Sequence, residues 1–450
     1  MGTMLKVRNL RNERAGITDP HSLFPSQTMR LAKKSSVLNQ TALALVFTLS
    51  FIIYFAPELT IWLQLAPLVV FAALVFCTAV TSDSLITALT AFLDIDGLLY
   101  VAFLSLLMVA CSLGSARDDA LPFALLLSTC LVLARIYMAL VPLTEVLEAF
   151  YWSAIVSMVI FVPLNFATLI QSAMTVERLW AFNFHPNGLA LQLAAYLCVM
   201  VWKFSTGGWL TKALCSILGL VSIIVIFLTS SRGTIVALLV GSGFVISVVF
   251  IRAVKQDRKR TLWLSGLLLA VLTALFVFAN HRQSTQDAYE AVDQMLALST
   301  PDRGLGSGMT GRVDVWQQVL RAISDGSWLF GHGVRSSDLF FDPMIDNSYL
   351  VILYDMGIVP LILITWRFAS LLCLATRSCL KAVRDDEKLW LACGTFLVVL
   401  LVTSIVDRSL FAVGNPFSLL AFLFFTIPNR TLTLSGKSSA SADPKCWVAG

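Results

Sequence analysis

Four short stretches hold residue types that can bind an anion or move a proton. They are Phe184-His185-Pro186-Asn187-Gly188, Thr229-Ser230-Ser231-Arg232-Gly233, Gly311-Arg312-Val313-Asp314-Val315-Trp316 and Asp346-Asn347-Ser348-Tyr349. Arginine is the informative type among them. Its planar guanidinium binds a phosphate through two parallel hydrogen bonds and stays charged in a partly dry site. Each stretch also has a plain reading. Asn187 can cap the helix that follows it, and Pro and Gly there make a turn. Arg232 can snorkel at a membrane face. Asp314 can lie on a solvated face. Asp346 can be the N-cap of the next helix, where a carboxylate favours the positive helix end.

The elements that must position these stretches are apolar helices. The 450-residue chain is 58% hydrophobic and 13% charged, with a mean hydropathy of +0.82. Soluble domains hold about 45–50% apolar and about 25% charged residues. The apolar runs are about 18–22 residues long, enough to cross a bilayer core. Period-two alternation is absent, so the expectation is an all-α polytopic membrane protein and not a β-barrel. The predicted spans are 37–56, 60–80, 97–113, 120–141, 146–163, 188–202, 213–230, 233–251, 262–279, 348–371, 389–406 and 410–427, about twelve in all. Residues 1–36 read as a basic cytoplasmic tail, 37–279 as the first nine spans, 280–347 as a large outer loop, 348–427 as the last three spans and 428–450 as a cytoplasmic tail. The 36-residue start is too long and too basic for a simple signal peptide, so the first run reads as an uncleaved span. The nine cysteines are scattered, without zinc or disulfide spacing, and read as small buried residues.

With the N-terminus inside, the basic residues of short loops and span ends concentrate inside, as the positive-inside rule requires. All eleven lysines fall on that side. The outer segments carry arginine alone: Arg117, Arg178, Arg232, Arg282, Arg303, Arg312, Arg321, Arg335 and Arg408. Several stand at span ends, where a phosphate at the lipid interface would sit. The spacing of Trp316, Val319, Leu320 and Ile323 predicts an amphipathic helix lying on the bundle. The stretch from Gly311 to Pro360, through Phe330-Gly331-His332-Gly333, ends the longest polar segment and meets the membrane at its last helix.

The order of the motifs resembles the bacterial O-antigen ligase and polymerase family of integral-membrane glycosyltransferases. The residues that carry the resemblance are His185-Pro186-Asn187-Gly188, Ser231-Arg232-Gly233, Thr310-Gly311-Arg312 with Trp316, Phe330-Gly331-His332-Gly333, and Asp346-Asn347-Ser348-Tyr349-Leu350 with Gly357. It is strongest over about residues 175–365. It implies a GT-C-like fold with about twelve transmembrane helices and a periplasmic loop carrying short helices. The implied reaction is at the periplasmic face of the inner membrane. The donor is a glycan on undecaprenyl pyrophosphate, and an acceptor sugar hydroxyl displaces the lipid pyrophosphate. Arg232 and Arg312 then hold the pyrophosphate. A histidine serves as the base of the family's ligases where this chain has Asp346, so Asp346 is the candidate base and the chain leans toward a repeat-unit polymerase. The alternative is a ligase that uses lipid A-core as acceptor. His185, Asn187, Arg178, His332, Arg335, Asn347 and Tyr349 are candidate substrate-binding residues, with His332 as a second candidate base and Arg408 and Asp407 as outer candidates for sugar or phosphate. Neutralising the pyrophosphate by arginine calls for no metal and no cofactor. The partners implied are the lipid-linked oligosaccharide, the acceptor glycan or lipid A-core, membrane lipid, and a chain-length regulator or flippase; no nucleic acid is implied.

Three further readings compete. Asp94-Ile95-Asp96 looks like a metal-binding Asp-x-Asp, but it falls on the cytoplasmic side and reads as a structural loop. Arg135, Glu148, Asp355 and Arg367 lie in or near spans, as in a transporter or flippase. Arg367 and Glu148 are near enough to span ends to snorkel, and the halves show no repeat. A purely structural scaffold leaves the arginine bias unexplained.

Overall fold

The structure is a computed structural model that describes residues 25–54, 65–81, 85–90, 92–114, 117–175, 178–179, 185–256, 312–324, 328–341, 344–381, 384–408, 410 and 415–428. The described residues form helices and no strands. In chain order these are α1 (Pro25–Tyr54), α2 (Ala66–Thr81), α3 (Leu85–Thr90), α4 (Ile95–Leu113), α5 (Arg117–Leu140), α6 (Leu143–Leu164), α7 (Phe166–Thr175) and α8 (Pro186–Thr206). They continue as α9 (Trp209–Leu228), α10 (Arg232–Gln256), α11 (Arg312–Ser324), α12 (Ser336–Phe340), α13 (Ser348–Met356), α14 (Ile358–Lys381), α15 (Arg384–Thr403) and α16 (Pro416–Thr426). Eight of them, α1, α4, α5, α6, α8, α9, α10 and α14, are long and apolar enough to cross a membrane. This is an all-α polytopic membrane protein.

The span count differs from the predicted twelve in specific ways. The run 262–279 lies outside the described residues, as do 280–311. α2 and α16 are apolar but short. The predicted span 348–371 is not one helix. It breaks at Gly357, whose φ of 88° lies in the region that favours glycine. A side chain there would collide with the backbone of Leu329 and Phe330. The backbone N–H of Ile358 instead donates to the Trp328 carbonyl at 2.9 Å. The helix long and apolar enough to cross is therefore α14, and α13 is a separate nine-residue helix before it.

α8 is the central helix, with 72% of its span buried. It packs against α6, α9, α10, α15 and α16, while α1 lies along α6. Pro186 at its first position supplies a φ suited to a helix start. Hydroxyls inside the bundle bond back to their own helix or across it. Thr48 Oγ1 donates to the Ala44 carbonyl at 2.8 Å and meets Ser153 Oγ at 3.2 Å.

The ionisable residues inside the bundle have structural partners. α16 has 11 residues and ends within the bundle. Arg135 Nη1 donates to the Thr426 carbonyl at 3.0 Å, and Arg367 Nε donates to the Phe425 carbonyl at 2.9 Å while its Nη2 reaches the Ile427 carbonyl. These two guanidiniums satisfy carbonyls that a helix end leaves without partners. Arg367 therefore turns inward and does not snorkel. Arg135 also pairs with Asp94 at 3.1 Å, and Asp94 caps α4 by accepting from the Gly97 N–H at 2.7 Å. The Asp-x-Asp is thus a helix start with an ion pair. Glu148 pairs with Lys203.

Candidate functional site

The polar turns meet at one end of the bundle. α11 begins at Arg312, and its Val315, Val319 and Ile323 pack on Ile345 and Tyr354. Trp316 is partly buried against the same cluster, whereas Leu320, predicted for the apolar face, is 52% exposed. This packing fixes the helix so that Arg312 Nη2 and Nε donate to Asp346 Oδ2 at 2.9 and 3.2 Å. The pair is half-exposed, with 22% and 39% of the two side chains open.

Asp346 is not the N-cap. That role falls to Asn347, whose Oδ1 accepts from the N–H groups of Tyr349 and Leu350 at 2.9 and 3.0 Å. Ser348 ties the same turn to the end of α15. Its N–H donates to the carbonyls of Ser404 and Asp407 at 2.9 and 3.1 Å, and its Oγ donates to the Asp407 carbonyl at 2.6 Å. Tyr349 Oη donates to the Leu401 carbonyl at 2.9 Å. Asn347, Ser348 and Tyr349 thus anchor the turn and leave the Asp346 carboxylate to face Arg312.

Two more motifs join this end. Arg178 Nη2 donates to Asn187 Oδ1 at 2.8 Å and its Nε donates to the Thr229 carbonyl at 3.0 Å. Arg178 therefore staples the His-Pro-Asn-Gly entry of α8 to the Ser-Arg-Gly turn. Asn187 is the recipient of that bond and not a cap; the N-cap position is His185, which makes no side-chain cap bond. The Ser-Arg-Gly turn is tight. Ser230 has a φ of 52°, Ser231 Oγ lies 3.0 Å from Thr234 Oγ1, and Arg232 is the first residue of α10. A side chain at Gly233 would strike Val406, so this turn presses on the same 404–408 turn that receives Ser348. His185 is in the field of both pairs. Loss of solvation and Arg178 push its imidazole below the ordinary range, Asp346 pulls it up, and Arg312 adds to the lowering.

The Phe-Gly-His-Gly turn has a different job. Gly331 and Gly333 have φ of 70° and 104°, and a side chain at Gly331 would strike the backbone of Asp355 and Met356. The N–H groups of His332 and Gly333 donate to the Tyr354 and Asp355 carbonyls, each at 2.9 Å, closing the end of α13. Gly114, after α4, abuts the His332 carbonyl, and the Val334 N–H donates to Cys111 Sγ at 3.4 Å. His332 stacks on Tyr354 with centroids 4.4 Å apart, and burial lowers its pKa. The turn clamps α13 to α4.

Asp355 is the post inside this clamp. It accepts from the N–H of Arg335 at 2.8 Å, from Ser336 Oγ at 3.0 Å and from the N–H of Ser337 at 2.8 Å. Burial nevertheless pushes its pKa up to about 6 against those donors. Arg335 lies over the Phe123 ring at 4.2 Å and pairs with Asp338 at 2.6 Å. Asp338 also pairs with Arg408. Burial opposes ionisation of Asp338, but Arg408 and Arg335 hold it below the ordinary carboxylate range. Burial lowers the Arg408 pKa, yet Asp338, Asp355 and Asp346 raise it overall, which puts Arg408 in the field of the Arg312–Asp346 pair. Asp338 escaped the sequence reading, although its i,i+3 spacing from Arg335 is a visible signal. Among the described residues no three His, Cys, Asp or Glu side chains gather as metal ligands do.

The fold and its polar end define a multi-pass helical membrane protein with arginines, carboxylates and a histidine gathered on turns at one end. Residues 217–365 match the family described as O-antigen ligase, Wzy_C, and that match supports the O-antigen ligase and polymerase family for this chain. The family is a glycosyltransferase-like enzyme class whose partners in general are lipid-linked glycan and lipid A-core. No curated protein matches the chain. The matched segment includes Arg232, Arg312, His332, Arg335, Asp346, Asn347 and Tyr349; Arg178, His185, Asn187 and Arg408 lie outside it.

Proposed function

We propose that this protein is an inner-membrane glycosyltransferase that works at the periplasmic face on a glycan carried by undecaprenyl pyrophosphate, and that it polymerises polysaccharide repeat units, as in O-antigen or exopolysaccharide. The observation that carries the reading is the half-exposed Arg312–Asp346 pair, held by anchors that take over the plain structural roles. Such a pair is exchangeable. A pyrophosphate entering the site offers Arg312 a bidentate partner of higher charge than a carboxylate. Asp346 is thereby released beside the reacting hydroxyl. The acceptor oxygen then bonds to the anomeric carbon, its proton passes to Asp346, and the bond to the pyrophosphate oxygen breaks with its electron pair. Arg312 and Arg232 stabilise the negative charge that forms there, so no metal or other cofactor is needed. His185, whose imidazole is held below its ordinary range, can hydrogen-bond a sugar hydroxyl, and Arg178 and Asn187 position it. Arg335, Asn347, Tyr349 and His332 shape the site from behind.

The family description favours a second reading, in which lipid A-core is the acceptor and the enzyme is a ligase. One experiment separates the two. Purified protein in lipid is given an undecaprenyl-pyrophosphate repeat unit alone, and products are read by gel and mass spectrometry. A ladder of longer lipid-linked glycans that requires Arg312 identifies a polymerase. Transfer only when lipid A-core is added identifies a ligase. Neither product, with movement of the lipid-linked glycan between leaflets, refutes both in favour of a flippase.

A further inference from the structure

The end of the bundle away from the motif turns holds a cavity of about 700 Å³ between the start of α6, the end of α8 and the start of α9. Its lining includes Glu148, Tyr151, Trp152, Trp202, Lys203 and Leu389. None of these residues has a part in the proposed transfer reaction. Lys203 pairs with Glu148, and 17% and 25% of the two side chains stay open. The Lys203 ammonium also lies 4.7 Å from the Trp202 ring and 5.5 Å from the Tyr151 ring. Trp152 is 50% exposed and Trp209, at the start of α9, is 75% exposed. Tryptophan at such a helix end marks the depth of lipid headgroups.

The charges of this cavity sum to zero, which decides what it can take. A purely anionic ligand gains Lys203 but meets Glu148. A ligand with a phosphate and an ammonium replaces one internal pair by two external ones. Its phosphate meets Lys203, and its ammonium meets Glu148 and the exposed face of Trp152, where cations are attracted. The volume is in the range of small-ligand sites, about 300–1,000 Å³, and Leu389 offers an apolar wall to the first part of an acyl chain. We propose that this cavity binds the headgroup of a zwitterionic phospholipid. The inference does not depend on the reaction assigned to the other end.

The test is lipid retention by native mass spectrometry. The intact protein in detergent is offered equal amounts of phosphatidylethanolamine and phosphatidylglycerol. Phosphatidylethanolamine should be retained over phosphatidylglycerol by about threefold or more, as expected for one ammonium–aromatic contact with a charge partner. Glu148→Gln leaves a lone cation and should reverse the preference. Lys203→Gln should weaken retention of both lipids. Trp152→Leu, on an exposed wall where folding is not at stake, should lower retention of phosphatidylethanolamine alone. Equal retention of the two lipids by the unaltered protein would overturn the proposal as mere acyl-chain contact. An unchanged preference in Glu148→Gln or Trp152→Leu would overturn it too.

Discussion

Two sets of arginines divide this molecule. Arg135 and Arg367, within the bundle, give their N–H groups to the last carbonyls of α16. Arg312 and Arg408, at the motif end, are partly open and pair with aspartates. The chemical group is the same; the first set is held by helix-end carbonyls, with the largely buried Asp94 beside Arg135, and the second by carboxylates, with the Arg312–Asp346 pair open to water. A backbone carbonyl at a helix end cannot leave, so the first set is locked into the fold. A carboxylate can be displaced by a more highly charged anion, so the second set can exchange partners. The difference teaches where to look for chemistry: at arginines whose partner is replaceable and within reach of water.

The largest effect that sharpens this contrast is on turnover. Arg312→Ala should lower the transfer rate by about 10²–10³-fold, the cost of removing one donor to a developing anion. The melting temperature should hardly move, because the pair is half-exposed. Near-normal transfer would break the comparison. Asp346→Asn should cost about 10²-fold if the carboxylate takes the proton. Since Asn347 supplies the cap, this variant should keep its melting temperature as well. In the other set, Arg135→Ala should remove a buried donor from the Thr426 carbonyl and from Asp94 and cost about 3–5 kcal/mol of folding stability. Its readout is the yield and melting temperature of purified protein, and an unaltered melting temperature would contradict a structural role.

The apolar helices are legible in the sequence because a run of about twenty apolar residues matches the thickness of a bilayer core. The motif order and the family are legible from short polar strings. What stays hidden depends on pairs far apart in the chain. Nothing near Asp346 announces that Asn347 caps the helix while Arg312, 34 residues earlier, takes the carboxylate. The break of the predicted span at Gly357 follows from Leu329 crossing there, and apolar residues on both sides of the glycine mask it. Arg367 looks able to snorkel because its sequence position says nothing of the α16 carbonyls that it meets.

Smaller effects refine the motif end. Asn347→Ala should cost about 1 kcal/mol through the lost cap and lower activity by less than Asp346→Asn does. Asp355 should make the clamp around α13 sensitive to pH. Its folded pKa of about 6 lies above the ordinary carboxylate value, so its stabilising contribution is full below the ordinary value and is lost as pH rises through about 6. Thermal stability should therefore fall as pH rises from about 4 to about 6, and Asp355→Asn should remove that slope. A falling slope that survives in the variant would contradict the assignment, since the lowered pKa values of Asp338 and His332 give stability that rises with pH.

The brevity of α16 has a consequence for biogenesis. Eleven residues reach about 16 Å, roughly half the bilayer core. A segment that short is a poor substrate for insertion on its own, and its bare carbonyls would be costly in hydrocarbon. The guanidiniums that receive it belong to α5 and α14, which are synthesised earlier. The helix would then enter a seat already assembled, as the final act of folding rather than as an independent crossing. Arrested nascent chains released before residue 416 should display that seat open, and pulse-labelled protein should gain protease resistance only once α16 has docked.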